Sequence, residues 1–151
     1  MKTRILKAIL TLFLITTSLT SCNDNDDAGN PPPPPSLPEF LYAEGGATSM
    51  TVTTPYANTS SNSIIAVNTG TRVIEINLAH LVVGVYTIDA TNRFTYYKPG
   101  TAITWTGYTG TVTITSTSDN KLTGTFDINS GNGSPMINQV NGSFTNIPIN
   151  P

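Results

Sequence analysis

The stretch that decides the fold is TVTITSTSDNKLTGTFDI, residues 111–128. Polar residues, half of them threonine, alternate along it with apolar ones. The apolar positions are Val112, Ile114, Leu122, Phe126 and Ile128. This period of two is typical of strands with one buried and one solvated face. Asp119-Asn120 interrupts the alternation, and because Asn and Asp tolerate positive φ, the stretch predicts a hairpin of two antiparallel strands.

The same pattern extends outward from this hairpin. Asn68-Thr69-Gly70 is predicted to join strands at 64–67 and 73–78, and 139–144 is predicted as another strand. Thr, Asn, Ile, Val and Gly are abundant from Phe40 onward, which favours strands over helices. We therefore expect residues 39–151 to form an all-β domain, an antiparallel sandwich or small barrel of about seven to eight strands.

The first 21 residues have the pattern of an export signal. Three basic residues in 1–7 precede an apolar run over 8–19, which is shorter than the roughly 20 residues of a spanning helix. Leu19, Thr20, Ser21 and Cys22 then resemble the lipobox of bacterial lipoproteins. The resemblance implies a signal peptide removed before Cys22 and membrane attachment through lipid on that residue. The alternative is a chance cysteine after an ordinary secretory signal.

Residues 22–38 are predicted to be a disordered tether. Asp24, Asp26 and Asp27 follow the cysteine and resemble the surface-export signal of Bacteroidetes lipoproteins. That resemblance implies the outer face of the outer membrane, whereas the alternative is a plain solvated tether. The five prolines 31–35 favour extended polyproline II, roughly 15 Å long at about 3.1 Å per residue.

Four short motifs along the domain recur in a known group. They are Gly84-Val85-Tyr86, a strand from Gly110 to Thr115, Gly124-Thr125-Phe126 and a strand from Asn141 to Phe144. In this order they resemble small Bacteroidetes lipoproteins of unknown function. The resemblance covers roughly the last two thirds of the domain. It implies an all-β lipoprotein domain and supplies no catalytic residues.

Residues that carry chemistry are sparse in this sequence. His80 is the only histidine, Cys22 the only cysteine, and the domain's carboxylates show no spacing typical of a catalytic or metal site: Glu39, Glu44, Glu75, Asp89, Asp119 and Asp127. We therefore expect no catalytic residue, metal or cofactor, and no enzyme activity. The formal charge is −2 and the basic residues are dispersed, so nucleic acid is not an expected partner.

Aromatic residues concentrate between Tyr86 and Tyr108. Tyr96, Tyr97, Trp105 and Tyr108 are candidates for stacking on a glycan or a small apolar ligand. The alternative is that these rings fill the core of a small β domain.

The combined hypothesis is a surface-exposed outer-membrane lipoprotein whose β domain has a non-catalytic binding or structural role. One alternative is a barrel-type carrier of a small apolar ligand, or a module that binds glycans. A glycan-active enzyme is the third. Expected partners are the membrane, through lipid on Cys22, and a glycan or an envelope protein.

Overall fold

A computed structural model describes residues 36–151. Its ten strands are β1 (Glu39–Glu44), β2 (Met50–Thr51), β3 (Thr54–Asn58), β4 (Ser63–Asn68), β5 (Thr71–Asn77), β6 (Gly84–Thr87), β7 (Arg93–Tyr97), β8 (Thr104–Ser116), β9 (Lys121–Asn132) and β10 (Val140–Asn150). Within this range no helix is long and apolar enough to cross a bilayer. The predicted lipobox Leu19–Cys22 and the acidic residues Asp24, Asp26 and Asp27 lie outside the described residues.

Seven of the strands close into a barrel, in the order β3, β4, β5, β7, β8, β9, β10 and back to β3. Strand β1 pairs with β10 and carries β2, whereas β6 pairs with β8. The predicted all-β class is confirmed, and of the two expected architectures the barrel is the one formed. Neighbouring strands are antiparallel except at the closure, where Ile149 and Asn150 of β10 lie parallel to β3.

The deciding stretch folds as its alternation predicts. Strand β8 pairs with β9, with Val112 opposite Phe126 and Thr113 opposite Thr125. Asp119 and Asn120 have φ of 54° and 56°, and the Lys121 N–H donates to the carbonyl of Ser118 at 2.9 Å. The sequence alone was sufficient to predict this hairpin, because the turn and the faces of the two strands depend on residues that are close together in the chain.

The barrel interior is filled by side chains. Phe40 contacts Phe144 and Phe126, with ring centroids 6.2 and 5.6 Å apart, and Phe126 contacts Phe94 at 5.5 Å. Phe94 in turn meets Trp105 edge-on at 6.1 Å. These five rings form one continuous series through the core, surrounded by buried aliphatic residues.

Glycines in the recurring motifs make room for these rings. Gly142 lies opposite Phe126 and Gly124 lies opposite Phe144 on the paired strands β9 and β10. A Cβ at Gly124 would lie 2.5 Å from the Phe144 ring, and one at Gly142 would lie 2.6 Å from the Phe126 ring. The Gly-Thr-Phe and Asn-Gly-x-Phe motifs are therefore one cross-strand arrangement, in which a ring covers the glycine of the neighbouring strand.

The barrel has two ends, which we name by one residue each. At the Glu44 end lie the last residue of β1, the turn at 69–70 and the loop at 98–103. At the Asn120 end lie the turns at 59–62 and 117–120, the segment 78–83 and the chain end. Backbone bonds join these loops, including those from Ile149 N–H to the Asn120 carbonyl at 3.0 Å and from Leu78 N–H to the Asn62 carbonyl at 2.9 Å.

Candidate functional site

A cleft of about 450 Å³ opens at the Glu44 end. Asn68, Thr69 and residues 71–73 line one side, and residues 97–104 line the other. The β4–β5 turn is shaped by Thr69 and Gly70, with φ of 48° and 80°. The loop opposite is closed by a bond from the Lys98 N–H to the Ile103 carbonyl at 3.0 Å. Two short, internally bonded loops on neighbouring strands therefore form the walls.

Each cation of the cleft wall is paired with a carboxylate. Arg72 donates from Nη1 to Glu75 at 2.7 Å, and Lys98 Nζ donates to Glu44 at 2.5 Å. Burial opposes the charged form of Arg72, but the charge of Glu75 and the hydrogen bonds to Glu75 and Tyr97 together outweigh it, so the pKa of Arg72 is raised. Among the described residues that line the cleft, two are cations and none is a carboxylate. Arg72 and Lys98 therefore offer N–H donors to the cleft, while their charges are neutralised by Glu75 and Glu44, which do not line it.

A buried tyrosine pair supports Lys98 and its partner. Tyr96 donates its hydroxyl to Glu44 at 2.9 Å, and its ring packs against that of Tyr42 with centroids 5.7 Å apart. Burial, followed by the hydrogen bond to Glu44, raises the pKa of Tyr96 well above its ordinary value. Burial also raises the pKa of Tyr42. Tyr96 and Lys98 therefore both donate to Glu44, which links the end of β1 to the cleft loop.

Residues 47–148 match the domain of unknown function DUF6252. The chain belongs to this family. No curated protein and no solved structure matches the chain. The match agrees with the expected resemblance to proteins of unknown function, whereas the lipid anchor and the bacterial group stay predictions. The DUF6252 range contains β2 to β9, most of β10 and the whole cleft.

The DUF6252 barrel separates the four aromatic residues that the sequence grouped together. Tyr96 and Trp105 are 1% and 0% exposed, so their burial fits core packing, the alternative that the sequence left open. Tyr97 is half-buried and lines the cleft, and its hydroxyl lies 3.4 Å from Glu75. Tyr108 is 55% exposed and lies outside the cleft. Ligand stacking at the surface therefore stays a prediction for Tyr97 and Tyr108.

Sequence reasoning missed the other cleft residues. Arg72 and Lys98 count in the sequence only as two of the dispersed basic residues, and Thr69 only as part of a predicted turn, whereas Thr101 and Ile103 carry no signal of their own. The available signal was the pair of turn sequences at 68–70 and 99–100. The first turn joins β4 to β5 and the second lies between β7 and β8, and the local pattern does not show that β5 and β7 are neighbours.

Four of the domain's carboxylates, Glu44, Glu75, Asp89 and Asp127, are engaged in structural contacts. Besides the two cation partners, Asp89 accepts backbone N–H groups of Thr91 and Asn92 at 2.7 and 2.8 Å, which lowers its pKa. Asp127 accepts a hydrogen bond from Gln139 at 2.8 Å.

His80 is exposed in the segment between β5 and β6, at the opposite end of the barrel from the cleft. Among residues 36–151, no three His, Cys, Asp or Glu side chains are grouped closely enough to hold a metal.

Proposed function

We propose that this protein is a lipid-anchored, surface-exposed lipoprotein whose barrel is a non-catalytic module that binds a glycan in the cleft at the Glu44 end. The observation that carries the proposal is the position of Tyr97. Its half-buried ring lies in a cleft of about 450 Å³ that has threonine hydroxyls and two N–H donor groups in its walls.

The chemistry of the cleft suits a sugar. An aromatic face stacks on the C–H face of a sugar ring, while hydroxyl, amide and guanidinium groups bond its hydroxyls. Tyr97 and Ile103 supply the apolar surface, and Thr71, Thr101 and Asn68 supply polar groups. Because Glu75 and Glu44 neutralise the two cations, the cleft does not require a charged ligand.

The other functions have less support. A carrier of a small apolar ligand needs space inside the barrel, and the series of rings from Phe144 to Trp105 occupies that interior. A glycosidase needs two free carboxyl groups across a cleft, and both glutamates near this one are bound to cations. We therefore propose binding without catalysis.

The course of the chain supports display of the cleft away from the membrane. Asn146 is next to Ile147, which pairs with Leu122 near the Asn120 end. The Asn146 side chain donates a hydrogen bond to the Ser36 hydroxyl there. From there β1 runs to Glu44 beside the cleft. Its six residues span about 20 Å at about 3.3 Å per residue. A chain anchored through Cys22 therefore enters the domain at the end remote from the cleft.

The test is binding of detergent-solubilised mature protein to an array of neutral and acidic oligosaccharides. We expect at least one sugar class to bind, and Tyr97→Ala to weaken that binding about tenfold, which corresponds to about 1.4 kcal/mol. Tyr97→Phe keeps the ring and should retain most of the affinity. Isothermal titration calorimetry with the bound oligosaccharide measures both variants.

Two outcomes contradict the proposal. If no oligosaccharide binds, the glycan class is wrong. If a sugar binds but Tyr108→Ala weakens it while Tyr97→Ala does not, the site lies on the outer face of β8 rather than in the cleft.

A further inference from the structure

We propose that three exposed valines at the Asn120 end, Val82, Val83 and Val85, rest on the lipid surface to which the chain is anchored. This inference rests on the lipid anchor of the proposed function. It adds a second contact between protein and bilayer, made by the folded domain itself.

These valines are unusually exposed for aliphatic residues so close in sequence. Val82, Val83 and Val85 are 57%, 59% and 68% exposed. The segment is held in place, because the Tyr86 hydroxyl donates to the Val82 carbonyl at 2.8 Å. Since Leu81 and Tyr86 pack against the core, the valines cannot turn inward without breaking those contacts. Exposed apolar side chains that are grouped rather than scattered singly are a feature of interaction sites.

The position of the valine surface points to lipid as its partner. Gly84 pairs with Ile114, close to the end of β8, so residues 82–83 lie at the Asn120 end. Ser36 accepts a hydrogen bond from Asn146 of β10 near the same end, and β8 and β9 lie between β6 and β10. Three strand spacings, about 15 Å at about 4.8 Å each, separate β6 from β10 along the sheet. The valine surface and the entry of the tether therefore lie at the same end of the barrel.

The length of the tether permits this contact. Residues 23–35 connect Cys22 to the domain and reach at most roughly 45 Å when extended. Residues 76–88 contain no acidic side chain, so no carboxylate in this segment opposes an anionic lipid surface. With the valines against the bilayer, the cleft at the Glu44 end points away from it.

The test uses full-length lipidated protein reconstituted in phosphatidylcholine vesicles with and without brominated acyl chains, which quench tryptophan at close range. Val83→Trp places a reporter in the valine surface, and Thr69→Trp places a matched reporter at the cleft. The native Trp105 is buried and supplies the background. We expect brominated lipid to reduce the added fluorescence of the V83W variant at least twofold and to leave that of T69W unchanged.

The outcomes separate this inference from the anchor on which it rests. If the protein floats with vesicles and neither reporter is quenched, the valine contact is wrong and the anchor stands. If the protein does not float, both are overturned. A blue shift of V83W emission that grows with protein concentration, without quenching by brominated lipid, assigns the surface to a second copy and also overturns the proposal. Val85→Trp, on the same surface, should repeat the result for Val83→Trp.

Discussion

Cys22→Ser is expected to abolish membrane association, with the protein moving from the outer-membrane fraction to the soluble fraction. Each buried methylene contributes about 0.8 kcal/mol to membrane binding, so two or three acyl chains make attachment practically permanent. Serine lacks the thiol that the proposed lipid attachment requires. Cell fractionation followed by immunoblotting measures the distribution.

A matched variant separates loss of lipid from general damage to the export signal. Ser21→Ala keeps a small residue before the cysteine and should leave the protein in the outer-membrane fraction. If Cys22→Ser still pellets with membranes after a carbonate wash, lipid on that residue is not the anchor.

Phe126→Ala is expected to lower the free energy of unfolding by about 3–5 kcal/mol, the usual cost of deleting a buried aromatic side chain. The ring is 3% exposed and lies between Phe40 and Phe94 at 5.6 and 5.5 Å. It also covers Gly142 on β10, so truncation leaves a cavity beside a residue that has no side chain to fill it. Urea denaturation followed by circular dichroism measures the change.

Tyr108→Ala is the control, because it removes an aromatic ring that is 55% exposed. It should change the free energy of unfolding by less than about 0.5 kcal/mol. A loss below about 1.5 kcal/mol for Phe126→Ala would show that the central series of rings does not hold the barrel together as described.

The strands were predictable where the signal was local. Alternation placed Val112, Ile114 and Phe126 in the core, and Asp119-Asn120 fixed the hairpin. Closure of the barrel was not predictable, because it joins β3 and β10 from opposite ends of the domain. That contact depends on the length of β10, which continues past β1 to lie beside β3.

The candidate site was predictable only in part. Period-two alternation along 94–97 puts Phe94 and Tyr96 on one face and Tyr97 on the other, and in the structure the first two are buried while Tyr97 lines the cleft. Period-two reasoning assigns faces but does not say whether an outward ring meets solvent or a neighbouring loop. Arg72 and Lys98 lie in the cleft because β5 pairs with β7, a tertiary contact that neither residue's sequence neighbours indicate.

We propose anchoring at one end of the barrel and ligand binding at the other, and the display of the cleft away from the membrane depends on the lipid anchor. Intact-mass spectrometry of the protein extracted from membranes tests this most directly. We expect a mature chain that begins at Cys22 and carries the added mass of two or three acyl chains. A chain of unmodified mass, or one that still contains residues 1–21, would contradict it.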